Sequence, residues 1–343
     1  MHGISRLEVV LDDIVAGGAA WANPWLRGGA NTLIGAAALG LLVRSVPLGQ
    51  LGQHLQPRHF SPLLGIVALT LLSQLARAAR WTLLLRGRAQ VGLIEALWIN
   101  AATGLANYML PLRTGEALRL WWLTRRGRQP AAAGLGLIVA DHAFDLGGVT
   151  AVLAAGTVLK ATGGSQLPAL PALSVVLGLA LAALIAIAGG AWLGPRLVAR
   201  GPLQRAVRRS WGAAVARHSL AFWGALGSVS RRRLAVMLAA SAVAVGLDGL
   251  AFALLFVALG LAVPVASAVV AQVTLLFTYL VPSAPGYVGS LEVGGTLLLT
   301  SIDLTPGDAA GAIVLWHALA TMTVVGLGAV ALSRVLRAGQ QTP

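Results

Sequence analysis

No cysteine occurs in this chain of 343 residues, which excludes disulfides and thiolate metal sites. Charge is scarce as well, at 10% of residues, where a soluble domain carries about 25%. Lys160 is the single lysine, and glutamate stands only at Glu8, Glu95, Glu116 and Glu292. Hydrophobic residues fill the space left, at 57% of the chain with a mean hydropathy of +0.81. That balance places the chain in lipid as one polytopic, all-α membrane domain. The net charge of +14 comes almost wholly from arginine beside apolar spans. This is the pattern of a membrane face meeting anionic lipid, and no nucleic-acid partner is expected. The N-terminal 28 residues contain Glu8, Asp12 and Asp13 without an adequate apolar core, so no cleavable signal is expected there.

Enzyme signatures are missing too. There is no HExxH pair, no phosphate-cradling loop and no nucleophile elbow, so no catalytic residue and no cofactor is expected. His142 between Asp141 and Asp145 makes a poor metal cage, and no metal is expected.

Six segments read as full spans: Ala30–Pro47, Pro62–Leu85, Pro130–Leu159, Leu167–Leu193, Leu234–Leu261 and Gly307–Ser333. Two more regions read as broken or re-entrant helix pairs, Leu93–Leu110 with Gly115–Leu123 and Val265–Val281 with Gly286–Ile302. The organisation is then an N-terminal cytoplasmic or interfacial segment (1–29), a membrane domain (30–335) and a short tail (336–343). Within the domain, halves at about 62–159 and 234–333 flank a linker, 160–233, whose basic part, 194–233, reads as an amphipathic surface element.

The halves share a rare-residue pattern. Tyr108-Met109-Leu110-Pro111 precedes Gly115-Glu116 and, further on, His142; Tyr279-Leu280-Val281-Pro282 precedes Gly286, Glu292 and His317. The prolines lie 171 residues apart and the histidines 175. Proline ends a helix by removing a donor and clashing with the preceding turn. In hydrocarbon such a break persists only where protein or a polar cavity surrounds it. Doubled, broken, polar-tipped segments mark a transporter-like site at a repeat interface. Arginine-rich loops at 125–128, 194–233 and the C-terminus, set inside, make the two copies inverted and put both termini in the cytoplasm.

Carboxylates within spans each cost at least about 2.5–3.5 kcal/mol, so each requires a partner or a function. Glu116 opens a helix and can pair with Arg119 one turn on, while Glu292 has no cation at comparable spacing. Asp141 and Asp145 share a helix face. Asp248 has no repeat partner and reads as structural, and Arg77, Arg80 and Trp81 read as interfacial anchors. The candidate headgroup or coupling site comprises Asn107, Pro111, Arg113, Gly115, Glu116, Arg119, Asp141, His142, Asp145, Pro285, Gly286, Gly289, Glu292 and His317.

The run Asn107 to Arg119, with Pro111, Arg113, Gly115 and Glu116 inside it, resembles the "N-x-x-x-P-x-R-x-G-E-x-x-R" segment of the flippase-like family of the lysylphosphatidylglycerol synthase transmembrane region. Asp141-His142-Ala143-Phe144-Asp145-Leu146 resembles that family's "E-R-x-x-D-L" segment. Pro285-Gly286-Tyr287-Val288-Gly289-Ser290-Leu291-Glu292 resembles its "P-G-G-x-G-x-x-E", and Arg80-Trp81 its Arg-Trp pair. The chain departs from the pattern at His142 and His317, where the family more often has arginine, and at Asp141, which replaces a glutamate. The resemblance implies movement of a polar lipid between leaflets of the inner membrane, with a polar or anionic membrane lipid as partner. It does not carry lipid aminoacylation, since the aminoacyl-transferring domain of the full-length synthases is not in this sequence. Two alternatives stand beside it: an accessory subunit anchoring a lipid-biosynthesis enzyme through 194–233, and an intramembrane enzyme acting on the lipid.

Overall fold

A computed structural model describes residues 59–109, 115–161, 230–280 and 284–340, with the isolated positions 178 and 181. The expected span Ala30–Pro47, all of Leu167–Leu193 but those two positions, nearly all of the basic stretch 194–233, and Pro111, Arg113 and Pro282 lie outside these residues. The described chain is all-α. The first half runs α1 (Ser61–Leu85), α2 (Leu93–Met109), α3 (Gly115–Arg125) and α4 (Ala131–Ala161). The second runs α5 (Arg231–Leu259), α6 (Val265–Leu275) continued by a 3-10 turn (Leu276–Leu280), a second 3-10 turn (Pro285–Tyr287), α7 (Ser290–Thr300) and α8 (Pro306–Gln340). Each half is therefore a long helix, two short ones around a break, and a long helix.

Local chemistry sets the boundaries. Pro62 sits in the first turn of α1, where its missing N–H costs nothing. Ser230 caps α5, and Gly260 ends it in the left-handed region at φ 70°. At the start of α8, Thr305 and Asp308 bond reciprocally: the Thr305 hydroxyl donates to Asp308 Oδ2 at 2.8 Å and accepts from the Asp308 amide at 3.2 Å. Four helices are long and apolar enough to cross a membrane, over Ser61–Leu85, Ala131–Gly156, Arg232–Leu259 and Pro306–Val335.

The inverted relation of the halves is visible where α1 packs on α5. The His59 amide donates to the Ala258 carbonyl, Arg77 meets Asp248, Arg80 meets Ser241, and Arg233 donates to the Arg86 carbonyl. One number rises as the other falls, so the two helices are antiparallel. They are also equivalent. Ile66 and Met237, Ser73 and Ala244, Trp81 and Phe252, and Leu84 and Leu255 are each 171 positions apart, and all eight are buried. Equivalent helices packed antiparallel are related by a two-fold axis across them, which lies in the membrane plane when the helices span.

The short helices fold back as hairpins. An added Cβ on Gly115 would lie 2.2 Å from the Thr103 carbonyl oxygen, and Arg119 bonds Asn100, so α3 returns along α2. Only glycine fits at that closure. Likewise Gly294 of α7 lies against Thr278. At 11 residues, α3 and α7 are about 16 Å long, half the hydrocarbon thickness, and neither can complete a crossing. α2 and α3 open to the end that carries Arg86, Arg88, Arg125, Arg126, Arg128, Arg232, Arg233 and Arg334. α6 and α7 open to the opposite end, where no arginine lies among the described residues and where Leu63, Leu261, Ile302 and Leu304 pack against one apolar core.

Candidate functional site

The two hairpin tips meet at the middle of the bundle. Tyr108, at the end of α2, stacks edge-on against Tyr287 with ring centroids 5.8 Å apart, and Tyr279 meets the same ring at 4.6 Å. These are all three tyrosines of the chain, and Tyr108 and Tyr279 are repeat counterparts. Gly286 stands at φ 76°, and a Cβ there would sit 3.2 Å from the Tyr108 ring, so the tip again needs glycine.

Each half builds its own glutamate–histidine pair. In the first, Glu116 Oε1 lies 3.3 Å from His142 Nε2 and also accepts from the Asn107 amide at 3.3 Å. Asn107 in turn accepts from the Gly115 amide at 2.8 Å, which ties the hairpin closed. In the second, Glu292 accepts from the Gly289 amide at 2.6 Å and bonds His317 Nδ1. His317 Nε2 lies 2.7 Å from the Gly286 carbonyl and 2.8 Å from the Tyr108 hydroxyl, which also bonds Thr321. The second pair is thus closed by a residue from the first half. The pairs differ in access: the His142 side chain is 47% exposed and that of His317 10%.

Beside the first pair lies a buried ion network. Arg80 donates to Asp141 at 2.9 Å, to Asp145 at 2.6 Å and to Ser241 at 2.8 Å. Arg119 donates to Asp141 at 2.9 Å and Asn100 at 2.8 Å, stands 3.7 Å from Glu116, and places its guanidinium 4.6 Å over the Trp81 ring. Arg77 pairs with Asp248 at 2.8 Å, lies 3.8 Å from Asp145 and bonds Ser73. Several buried polar atoms here have no hydrogen-bond partner, among them Glu116 Oε2, Arg119 Nε, Thr103 Oγ1 and Trp81 Nε1. Such atoms cost about 1–3 kcal/mol each unless a ligand or water meets them.

The structure therefore gathers Asn107, Gly115, Glu116, Arg119, Asp141, His142 and Asp145 into one cluster, and Gly286, Gly289, Glu292 and His317 into a second, joined through Tyr108. Pro285 opens the 3-10 turn and is exposed. Two sequence expectations are corrected. Arg80 and Trp81 are 1% and 0% exposed, so they are core residues and not interfacial anchors, because two aspartates of α4 draw the guanidinium inward. Asp248 does have a repeat counterpart: it is Arg77, 171 positions earlier, of opposite charge and paired with it. The tyrosines also escaped notice as site residues, although the 171-residue spacing of Tyr108 and Tyr279 was there to find them.

A model of the lysylphosphatidylglycerol synthase transmembrane region matches residues 30–328. The chain belongs to that family. It is accordingly a membrane protein related to lipid modification and flipping, and every residue of both clusters lies within the matched region. Neither a curated protein nor a solved structure matches the chain.

Proposed function

We propose that this member of the lysylphosphatidylglycerol synthase transmembrane family binds the polar headgroup of an amphiphilic lipid between its two hairpin tips and passes it from one leaflet to the other, without altering it chemically. The observation that carries the reading is the meeting of two re-entrant tips, from opposite ends of the bundle, at a buried polar cluster. A lipid tail stays in hydrocarbon while only its headgroup must cross, so a polar midplane site flanked by apolar helices supplies what the headgroup lacks there. Arg119 Nε–H and Trp81 Nε1–H are donors awaiting an acceptor such as a phosphate oxygen, and Glu116 Oε2, which has Arg119 at 3.7 Å, accepts no hydrogen bond. The rest of Arg119 is held by Asp141 and Asn100, which fixes the direction of its free N–H.

The arginine-rich end faces the cytoplasm in this reading, with the protein in the inner membrane and its C-terminus inside. The α2–α3 hairpin then enters from the cytoplasm and the α6–α7 hairpin from the opposite face. The test is reconstitution into vesicles with a leaflet-sensitive fluorescent phosphatidylglycerol, with Glu116→Gln and Glu292→Gln beside the wild type. Unchanged rates in both variants, at normal incorporation, would remove the role given to the tips.

A further inference from the structure

We propose that Glu116–His142 and Glu292–His317 are two proton-binding sites, one open and one closed around a bound proton, whose states exchange as a lipid passes; this rests on the translocation reading above. The polarity of the contacts at His317 carries it. Nδ1 faces Glu292 Oε1, and Nε2 faces the Gly286 carbonyl oxygen at 2.7 Å. A carbonyl oxygen only accepts, and Glu292 already accepts from the Gly289 amide through Oε2. A neutral imidazole beside a carboxylate has one N–H for these two acceptors; with it on Nδ1, Nε2 can accept from the Tyr108 hydroxyl at 2.8 Å but still faces the Gly286 carbonyl oxygen at 2.7 Å with no proton between them. One added proton, on the ring or shared with Oε1, gives each acceptor a donor and brings the charge of the pair from −1 to zero.

The charge balance of the core agrees. Among the described residues, Arg77, Arg80 and Arg119 face Glu116, Asp141, Asp145 and Asp248, three cations against four carboxylates, and Glu292 faces His317 with no arginine beside it. Among these described groups each cluster is one positive charge short, each holds one histidine, and an uncompensated carboxylate within hydrocarbon is costly. His317 faces Glu292 on α7, Tyr108 on α2 and the Gly286 carbonyl before α7, and among the described residues no arginine pairs with it. His142 faces Glu116 and Arg119 on α3 and Asp141 and Asp145 on α4, with Arg80 and Arg77 of α1 behind the aspartates.

Access separates the two sites. His142 is 47% exposed, so water can deliver or remove its proton, while Tyr108 covers His317 at 10%. The two-fold relation between the halves supplies the complementary state, in which Tyr279 takes the place of Tyr108 over His142 and the second pair opens. A proton taken up at one face is then released at the other.

The experiment has two independent arms. Solid-state nitrogen NMR of histidine-labelled protein in phosphatidylglycerol–phosphatidylcholine bilayers at pH 7.5 reads the proton count directly. A doubly protonated imidazole is expected in the wild type, lost in His317→Gln and Glu292→Gln and kept in Glu116→Gln; a neutral tautomer for His317 in the wild type overturns the proposal without reference to any variant. In the second arm, an imposed pH gradient across the vesicles should change the rate of fluorescent phosphatidylglycerol movement severalfold in the wild type. Movement indifferent to the gradient overturns the coupling but leaves translocation standing. No movement under any condition overturns translocation, and with it the coupling.

Discussion

Replacing Arg80 with methionine separates a buried network from an interfacial anchor. Methionine keeps most of the apolar volume and removes the guanidinium. Asp141 then retains Arg119 at 2.9 Å, but Asp145 is left with Arg77 at 3.8 Å, and Ser241 loses its donor. Removing one member of a buried ion network costs about 3–5 kcal/mol, because the carboxylates left behind, Asp141 buried and Asp145 partly so, are underpaired. An exposed pair at a headgroup interface would cost about 0–1 kcal/mol. Against a total stability of roughly 5–15 kcal/mol, the first figure is a large fraction and the second is not. Reversible unfolding in mixed detergent micelles, followed by helical circular dichroism, measures the difference. Adding Asp145→Asn should return about 0.5–3 kcal/mol, since it removes the charge that Arg80 no longer meets. A loss below about 1 kcal/mol for Arg80→Met, or strict additivity of the two changes, would refute the reasoning.

Three further outcomes follow from the geometry. Gly115→Ala should destabilise by about 1–3 kcal/mol in the same unfolding experiment, because the new methyl meets the Thr103 carbonyl oxygen at 2.2 Å and the hairpin must open to admit it. Tyr108→Phe removes the hydroxyl shared by His317 and Thr321; stability should fall by about 1 kcal/mol, and hydrogen exchange at the second tip should quicken. In the cysteine-free chain, Arg125→Cys and Ser301→Cys create single thiols at opposite ends of the bundle, so an impermeant maleimide applied to right-side-out vesicles should label Ser301→Cys and spare Arg125→Cys.

Much of the architecture could be read from spacing and composition. The class followed from hydropathy, and the repeat from a few rare residues whose positions were too costly in lipid to be accidental. The breaks were legible because proline ends a helix: Pro111 and Pro282 each stand a few residues before the glycines at which the chain turns, Gly115, Gly286 and Gly289. Helix type near the second tip was less so. The late start of α7 at Ser290 comes from Gly286 and Gly289, at φ 76° and 92°, which hold the chain out of the helix longer than the apolar pattern suggests, and the 3-10 turn at Leu276–Leu280 had no signal in that pattern. Arg77 and Arg80 misled for a physical reason. Near the end of an apolar span an arginine can snorkel to the interface or turn inward to a carboxylate, and only the tertiary neighbours decide between them. Here α4 presents Asp141 and Asp145, and α5 presents Asp248. The Arg77–Asp248 relation was hidden because counterparts were sought by identity, while a residue beside a two-fold axis meets its own counterpart and is best matched by the opposite charge.

The central claim is that the two hairpin tips form one headgroup site serving both leaflets. Initial rates of fluorescent phosphatidylglycerol movement in proteoliposomes, compared across the wild type, Glu116→Gln, Glu292→Gln and the double variant, test it most directly. Both single variants should slow movement by tenfold or more, each of about 1.4 kcal/mol or greater in the barrier, and the double variant should be no slower than the worse single one, because one site lost at either tip is lost for the whole passage. Independent, multiplying effects of the two substitutions, or full activity in either one, would contradict a shared site.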